Sequence, residues 1–187
     1  MPKIVDHEAY RRELLESSFG LFAEKGYQAV TMRGLARALD VSTGTLYHYF
    51  ATKEDLFEQM VRQVASRTVL DAVSAMPPDA SPGERVEVLL GFLEAVEPQL
   101  QQFISVIIEY RRHSHSEQQA RVAREALDEY EQALATHLAV EGAGRAQAVL
   151  SAVIGVLTYR MIDPNPPPFS RSARSLRAIL LQQADAA

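Results

Sequence analysis

Asp40-Val41-Ser42-Thr43-Gly44-Thr45-Leu46-Tyr47-His48-Tyr49-Phe50, with Lys53 three residues on, reads as the turn and second helix of a helix-turn-helix. The second helix of such a unit lies in the DNA major groove. Ser42 is an N-cap residue type standing directly ahead of it. Leu46 and Phe50 are four apart and point inward together. At about 100° per residue, Gly44, Thr45, Tyr47 and His48 fall on the opposite face. An outward Tyr-His pair suits a surface that meets bases and phosphates. Gly44 costs about 1 kcal/mol against Ala in a helix, and a small residue there lets the backbone approach DNA closely. Thr45 offers a hydroxyl to a base edge and a methyl to thymine. Tyr47, Tyr49 and Lys53 are placed to meet phosphates, which positions a protein without reading sequence. Taken alone, the pattern also fits a short connecting helix with exposed aromatics.

Working outward, Thr31 is the N-cap of the preceding helix. Met32, Leu35, Ala36 and Leu39 give that helix one apolar face, with Arg33 and Arg37 off it. Further upstream, a first helix is expected from about His7 to Lys25. Leu15, Phe19, Phe22 and Ala23 form its inner stripe, and Gly26 is the residue just past its end. Downstream, Thr52 to Asp55 is a capping-box-like start to a long fourth helix through Leu56, Phe57 and Met60.

Three segments stand in order: Phe19-Gly20-Leu21-Phe22-Ala23-Glu24-Lys25-Gly26-Tyr27, Thr31-Met32-Arg33-Gly34-Leu35-Ala36, and Val41 to Phe50 with Lys53-Glu54-Asp55-Leu56. Together they resemble the DNA-binding domain of TetR-type (tetracycline-repressor-like) transcriptional regulators over roughly residues 8–60. The resemblance implies an all-helical homodimer with an N-terminal three-helix operator-binding domain. It also implies a C-terminal helical bundle that binds a small-molecule effector and dimerises. On this sequence it places DNA contacts at Thr31, Arg33, Ser42, Thr43, Gly44, Thr45, Tyr47, His48, Tyr49 and Lys53. Two positions depart from the family pattern. Asp40 stands where Gly is common, and Gly34 stands where an acid would complete a capping box with Thr31.

The chain has 187 residues, no cysteine and no tryptophan. Without cysteine, disulfides, thiolate metal sites and cysteine nucleophiles are excluded. No stretch approaches a membrane span and no leader-like segment opens the chain, so a cytoplasmic location is expected. The net charge of −5 is not that of a typical DNA binder. Residues 1–60 hold seven Lys/Arg against nine Asp/Glu, yet between Thr31 and Lys53 only Asp40 opposes Arg33, Arg37 and Lys53. A small positive footprint on an acidic body limits non-specific affinity, which comes from phosphate neutralisation.

Beyond residue 60 helical periodicity continues and no alternating strand appears. The domains are drawn at 1–52, the helix-turn-helix, and 53–187, the ligand-binding and dimerisation part. The fourth helix ends before Pro77-Pro78. Ser81-Pro82-Gly83-Glu84 starts a fifth with a capping box, and Pro98 breaks the pattern before a sixth helix through Phe103 to Arg112. His113 to Ser116 form a loop, with Ser116 and Gln119 resembling a further capping box. A polar helix spans 117–140 and an apolar one Ala146 to Met161. Ser170 caps a last helix in which Leu176, Ile179 and Leu180 share a face. The last two helices carry the apolar surface expected to pair with a second copy as a four-helix interface.

Effector-pocket candidates are Phe92, Phe103, Ile107, Tyr110 and Tyr130, each equally suited to ordinary core packing. Glu109 is either a partly buried carboxylate for a cationic ligand or a surface partner of Arg111 or Arg112. His113 and His115 lack a third ligand nearby, and zinc sites need three or four, so no metal is expected. No nucleophile elbow or phosphate-binding Gly-rich loop is present, so no cofactor, catalytic residue or enzyme activity is expected. The sequence therefore predicts an effector-responsive repressor acting on a palindromic operator. Two rivals are a same-fold structural DNA-binding protein without effector and a helical small-molecule-binding domain whose DNA site has decayed.

Overall fold

A computed structural model describes residues 6–113, 117–138 and 144–184. Among them are nine helices and no strand. They are α1 His7–Ala29, α2 Met32–Ala38, α3 Thr43–Tyr49, α4 Lys53–Ser74, α5 Pro82–Ala95, α6 Glu97–His113, α7 Glu117–His137, α8 Arg145–Ile162 and α9 Phe169–Ala184. No helix among the described residues is long and apolar enough to cross a membrane.

The helix starts follow from side chains. Asp6 caps α1 by accepting from the Glu8 and Ala9 N–H groups at 3.1 and 3.0 Å. Thr31 caps α2 through Gly34 N–H, and Ser42 caps α3 through Thr45 N–H. Thr52 accepts from Asp55 N–H at 3.0 Å, but Asp55 returns its bond to Ala51 N–H, one residue earlier than a capping box requires. Ser81 and Glu84 form the complete reciprocal box at the start of α5.

Gly26 interrupts α1 with φ 76°, ψ 158°, so the regular helix ends where expected and one further turn, Tyr27–Ala29, follows the kink. Asp40 takes φ 54°. Its side-chain type tolerates the left-handed region, so the turn that the family makes with Gly is kept. The buried stripe of α1 is Leu14, Leu15, Ser18 and Phe22, with Phe19 and Ala23 only half-buried. Ser18 enters the core by donating its hydroxyl to Leu14 O at 2.7 Å. Pro98 sits in the first turn of α6 and so starts that helix instead of breaking it. At the last helix, Phe169 is the first residue and is buried, which puts Ser170 inside the first turn and not at the cap. Leu176 and Leu180 are buried there, whereas Ile179 is 37% exposed. The expected cap at Ser116, the histidine at 115 and the end of the polar helix at 139–140 lie outside the described residues.

The chain divides into two compact units, residues 1–65 with 105–126, and residues 66–104 with 127–187. The first has an aromatic core: Phe22, Tyr27, Phe50, Phe57 and Tyr110, closed by Leu35, Leu46, Leu56, Met60 and Val61. The second is built on aliphatic side chains of α5, α8 and α9, among them Val86, Leu90, Leu93, Val149, Leu157, Leu176 and Leu180. In that unit Glu97 and Gln101 of α6 also meet α8. Arg160 Nε and Nη2 donate to the two Glu97 oxygens at 2.6 and 3.1 Å, and Gln101 donates to Leu157 O at 3.3 Å.

Candidate nucleic-acid interface

α3 buries one face and offers the other. Leu46 and Phe50 are fully buried, while Tyr47 is 54% exposed and Gly44 and His48 are exposed beside it. A Cβ on Gly44 would meet only Ser42 Oγ, at 3.6 Å, an ordinary contact. The protein's own packing therefore does not demand glycine here. Arg33 is exposed at the start of α2, and Thr31 is exposed while holding its cap.

Other members of the expected contact set are engaged within the protein. The Ser42 and Thr45 hydroxyls pair at 2.8 Å, so Thr45 is half-buried and turned onto its own helix start. Thr43 is half-buried. The Lys53 ammonium donates to Tyr27 O at 3.1 Å and lies 4.2 Å from the centroid of the Tyr27 ring, a cation–π contact. Tyr49 is half-buried, with its phenol 2.9 Å from His7 Nδ1. The structure thus gathers Arg33, Gly44, Tyr47 and His48 as open groups and sets Thr45, Tyr49 and Lys53 around them as bound ones.

Tyr27 is the hub behind this surface. Its N–H donates to Glu109 Oε2 at 3.1 Å, and the neighbouring Gln28 N–H reaches Glu109 Oε1 at 3.5 Å. Its ring stands edge-on to Phe57 and Tyr110, both at 4.8 Å. Its hydroxyl donates to Glu54 Oε1 at 2.8 Å. Burial, together with that carboxylate, pushes the Tyr27 phenol far above its ordinary range. The same hydrogen bond is the main influence holding the Glu54 carboxyl below its ordinary value.

The Glu109 carboxylate thus accepts backbone N–H groups just past the Gly26 kink. Gly26 is required by its φ of 76°, and a Cβ there would fall 2.5 Å from Glu109 Oε2, so the Glu109 carboxylate would have to move. Sequence periodicity marked Gly26 but could not pair it with a residue more than eighty positions away. His7 was missed for the same reason. Its only local signal is its place directly after the Asp6 cap.

Of the effector candidates, Phe92, Phe103 and Tyr130 belong to the second unit, and Ile107 and Tyr110 to the first. Tyr110 is fully buried against Tyr27 and Phe57, a bracing position in the first unit's core. Phe103 is buried, and Phe92, Ile107 and Tyr130 are partly so. Burial pushes the Tyr130 phenol up to about 12. No cluster of metal-ligating side chains occurs among the described residues.

Residues 14–60 match the family described as bacterial regulatory proteins, tetR family. The HTH-type transcriptional regulator BetI of Rhizobium meliloti (strain 1021) is 36% identical over 90 residues, 48% of this chain and 44% of that protein. The HTH-type transcriptional repressor AcnR of Corynebacterium glutamicum is 36% identical over 99 residues, 53% of this chain and 47% of that protein. The chain spans about half the length of the curated relatives it matches. A transcriptional regulator from Rhodococcus sp. Rha1 superposes with TM-score 0.74 at 21% identity, covering 95% of this chain and 97% of that one. That last likeness establishes the fold.

Proposed function

We propose, on the match of residues 14–60 to the tetR family of bacterial regulatory proteins, that this chain is a sequence-specific DNA-binding repressor. One observation carries the reading: α3 hides Leu46 and Phe50 and presents Tyr47, His48 and Gly44 outward. Arg33, Gly44, Tyr47 and His48 are the groups assigned to meet DNA directly. Ser42, Thr43 and Thr45 shape the helix start, and Tyr49 adds a phosphate contact. Lys53 braces Tyr27 from behind.

The functional form is a homodimer joined through α8 and α9. Tyr159 and Ile162 are 63% and 73% exposed at the end of α8, a placement that large apolar side chains take when another surface covers them. Two recognition helices then address adjacent major grooves about 34–36 Å apart. An effector of unidentified chemistry lowers operator affinity by binding better to a dimer whose spacing is wrong, and it acts only through that difference in affinity. α6 offers the mechanical route, because Glu109 on this helix holds the backbone at Tyr27, which in turn holds Lys53 and Glu54 at the start of α4.

The test is selection of bound fragments from the source genome at near-physiological salt. One or a few enriched palindromes support a specific regulator. Many scattered sites support a structural DNA-binding role instead. Tyr47→Ala is expected to abolish retention of the enriched duplex while circular dichroism and sedimentation show fold and assembly unchanged. Unchanged affinity in a footprint titration would remove α3 as the recognition helix.

A further inference from the structure

Tyr49 is held by α1, and by a part of it that lies outside the matched residues. His7 Nδ1 lies 2.9 Å from the Tyr49 hydroxyl. Tyr10 meets the Tyr49 ring edge-on at 5.6 Å, and the His48 ring stands 5.0 Å from it on the other side. The rings of His7 and His48 are themselves 6.2 Å apart. We propose that His7 is a positioning residue of the DNA surface: it sets which way the Tyr49 phenol directs its proton, and so ties operator affinity to protonation of an imidazole. The proposal rests on the operator reading above.

A phenol has one proton to give and lone pairs to receive. If Nδ1 of His7 is bare, Tyr49 spends its proton on His7. Only lone pairs then face a phosphate, whose oxygens also only accept. If Nδ1 carries a proton, His7 donates to the phenol oxygen, and the Tyr49 O–H is free to donate to phosphate. Of the two Nδ1-protonated forms, the imidazolium also brings a positive charge beside the phosphate. A phosphate at Tyr49 therefore selects a ring protonated at Nδ1, and its negative charge favours the imidazolium over the neutral Nδ1–H tautomer, so DNA binding takes up a proton. The sign follows by linkage: a complex that takes up a proton on forming weakens as pH rises.

Among the described residues the titratable and charged groups around His7 are these. On α1, the Asp6 carboxylate is occupied by two backbone N–H groups, Glu8 lies 3.8 Å from Arg11, and Tyr10 packs on Tyr49. On α3 the neighbouring titratable groups are His48 and Tyr49. His48 is an open contact residue in its own right, so the variants must separate the two rings.

The experiment is an anisotropy titration of the genome-selected duplex with the full chain, at pH 6 and pH 8 and fixed ionic strength. Wild-type protein is expected to bind about three- to tenfold more tightly at pH 6, as uptake of up to one proton per protomer allows. His7→Gln, on an exposed first-turn position, should keep its helix content and reduce the ratio attributable to His7 to below about twofold. His48→Gln should leave that share in place. Tyr49→Phe keeps the ring packing without the hydroxyl. It should lose the same slope as His7→Gln, and the double variant should lose no more. Equal slopes in wild type, His7→Gln and Tyr49→Phe overturn the proposal, as does a flat wild-type profile. Loss in His7→Gln but not in Tyr49→Phe also overturns it, since His7 would then act as a direct cation. If wild-type protein retains no duplex at either pH, the operator reading falls and this proposal falls with it.

Discussion

The two units of this chain are held together by different kinds of contact. In the first, polar groups at single positions do the specifying. α2 and α3 have seven residues each, too short to persist by helix propensity. They are fixed by the Thr31 and Ser42 caps, by the Asp40 turn and by the ring cluster around Tyr27. In the second unit, helices of 14 residues and more share an aliphatic core, where size and apolarity matter more than identity. The difference teaches why capped helices and tight turns leave a mark in sequence and an aliphatic core does not. Caps and left-handed turns demand particular residue types, whereas aliphatic volume is exchangeable.

One contact in the second unit runs against this contrast and gives the largest expected effect. The Arg160 and Glu97 side chains are 8% and 15% exposed and meet through two hydrogen bonds. Arg160 also donates to Pro167 O and stacks over Phe169. Arg160→Ala strands Glu97 and is expected to cost about 3–5 kcal/mol, the usual penalty for breaking a buried pair from one side. Urea unfolding measures it. A cost below about 1 kcal/mol would mean that this unit is aliphatic in its energetics throughout.

Next in size is Gly26→Ala in the first unit. The left-handed backbone alone costs about 1–2 kcal/mol for an alanine. The new Cβ also displaces the Glu109 carboxylate, which brings the expected total to about 2–4 kcal/mol. Adding Glu109→Ala should relieve the clash while the backbone cost remains. A thermal melt of the double variant no better than the single would show that the contact with Glu109 adds nothing.

A smaller effect is expected at Tyr27→Phe, and it depends on pH. Glu54 is lowered because the Tyr27 hydroxyl donates to it, so this bond stabilises the fold above the ordinary glutamate range and is lost as pH falls below it. The variant should be less stable by about 0.5–1 kcal/mol at pH 7, a value kept small because Glu54 is largely exposed. The gap should close as pH falls below the ordinary glutamate range. A gap that persists in acid would assign the loss to packing.

The same contrast governs how far the sequence could be read. Thr31, Ser42, Ser81 and Gly26 are local signals, and the structure uses each where periodicity placed it. So are the inward Leu46 and Phe50 and the outward Tyr47 and His48. What local signals cannot carry is pairing at a distance. His7 with Tyr49, Glu109 with Tyr27, and Lys53 on Tyr27 O each join segments separated by 26 to 82 residues. For that reason Lys53 and Tyr49 read without the partners they have inside the protein, Glu109 without its bonds from the Tyr27 and Gln28 N–H groups, and Tyr110 without its packing on Tyr27 and Phe57. Ser170 lies two residues past the cap position of α9, and Ile179 lies at the edge of the stripe that buries Leu176 and Leu180.

The finest test of the contrast adds a point contact where the first unit lacks one. Thr31 accepts from Gly34 N–H at 3.0 Å, which is half of a capping box. Gly34→Glu would supply the returning bond and remove a glycine from a helical turn. Against these gains, a Cβ there meets Thr31 Oγ1 at 3.2 Å, so the cap itself must yield slightly. The net gain expected is about 0.5 kcal/mol, a rise in melting temperature of about 1–2 °C. If short helices in this unit are limited by their caps, the rise appears although no buried contact has changed. If the melting temperature stays flat or falls, packing of Met32, Leu35 and Ala36 already sets the stability of α2, and the two units differ less than their contacts imply.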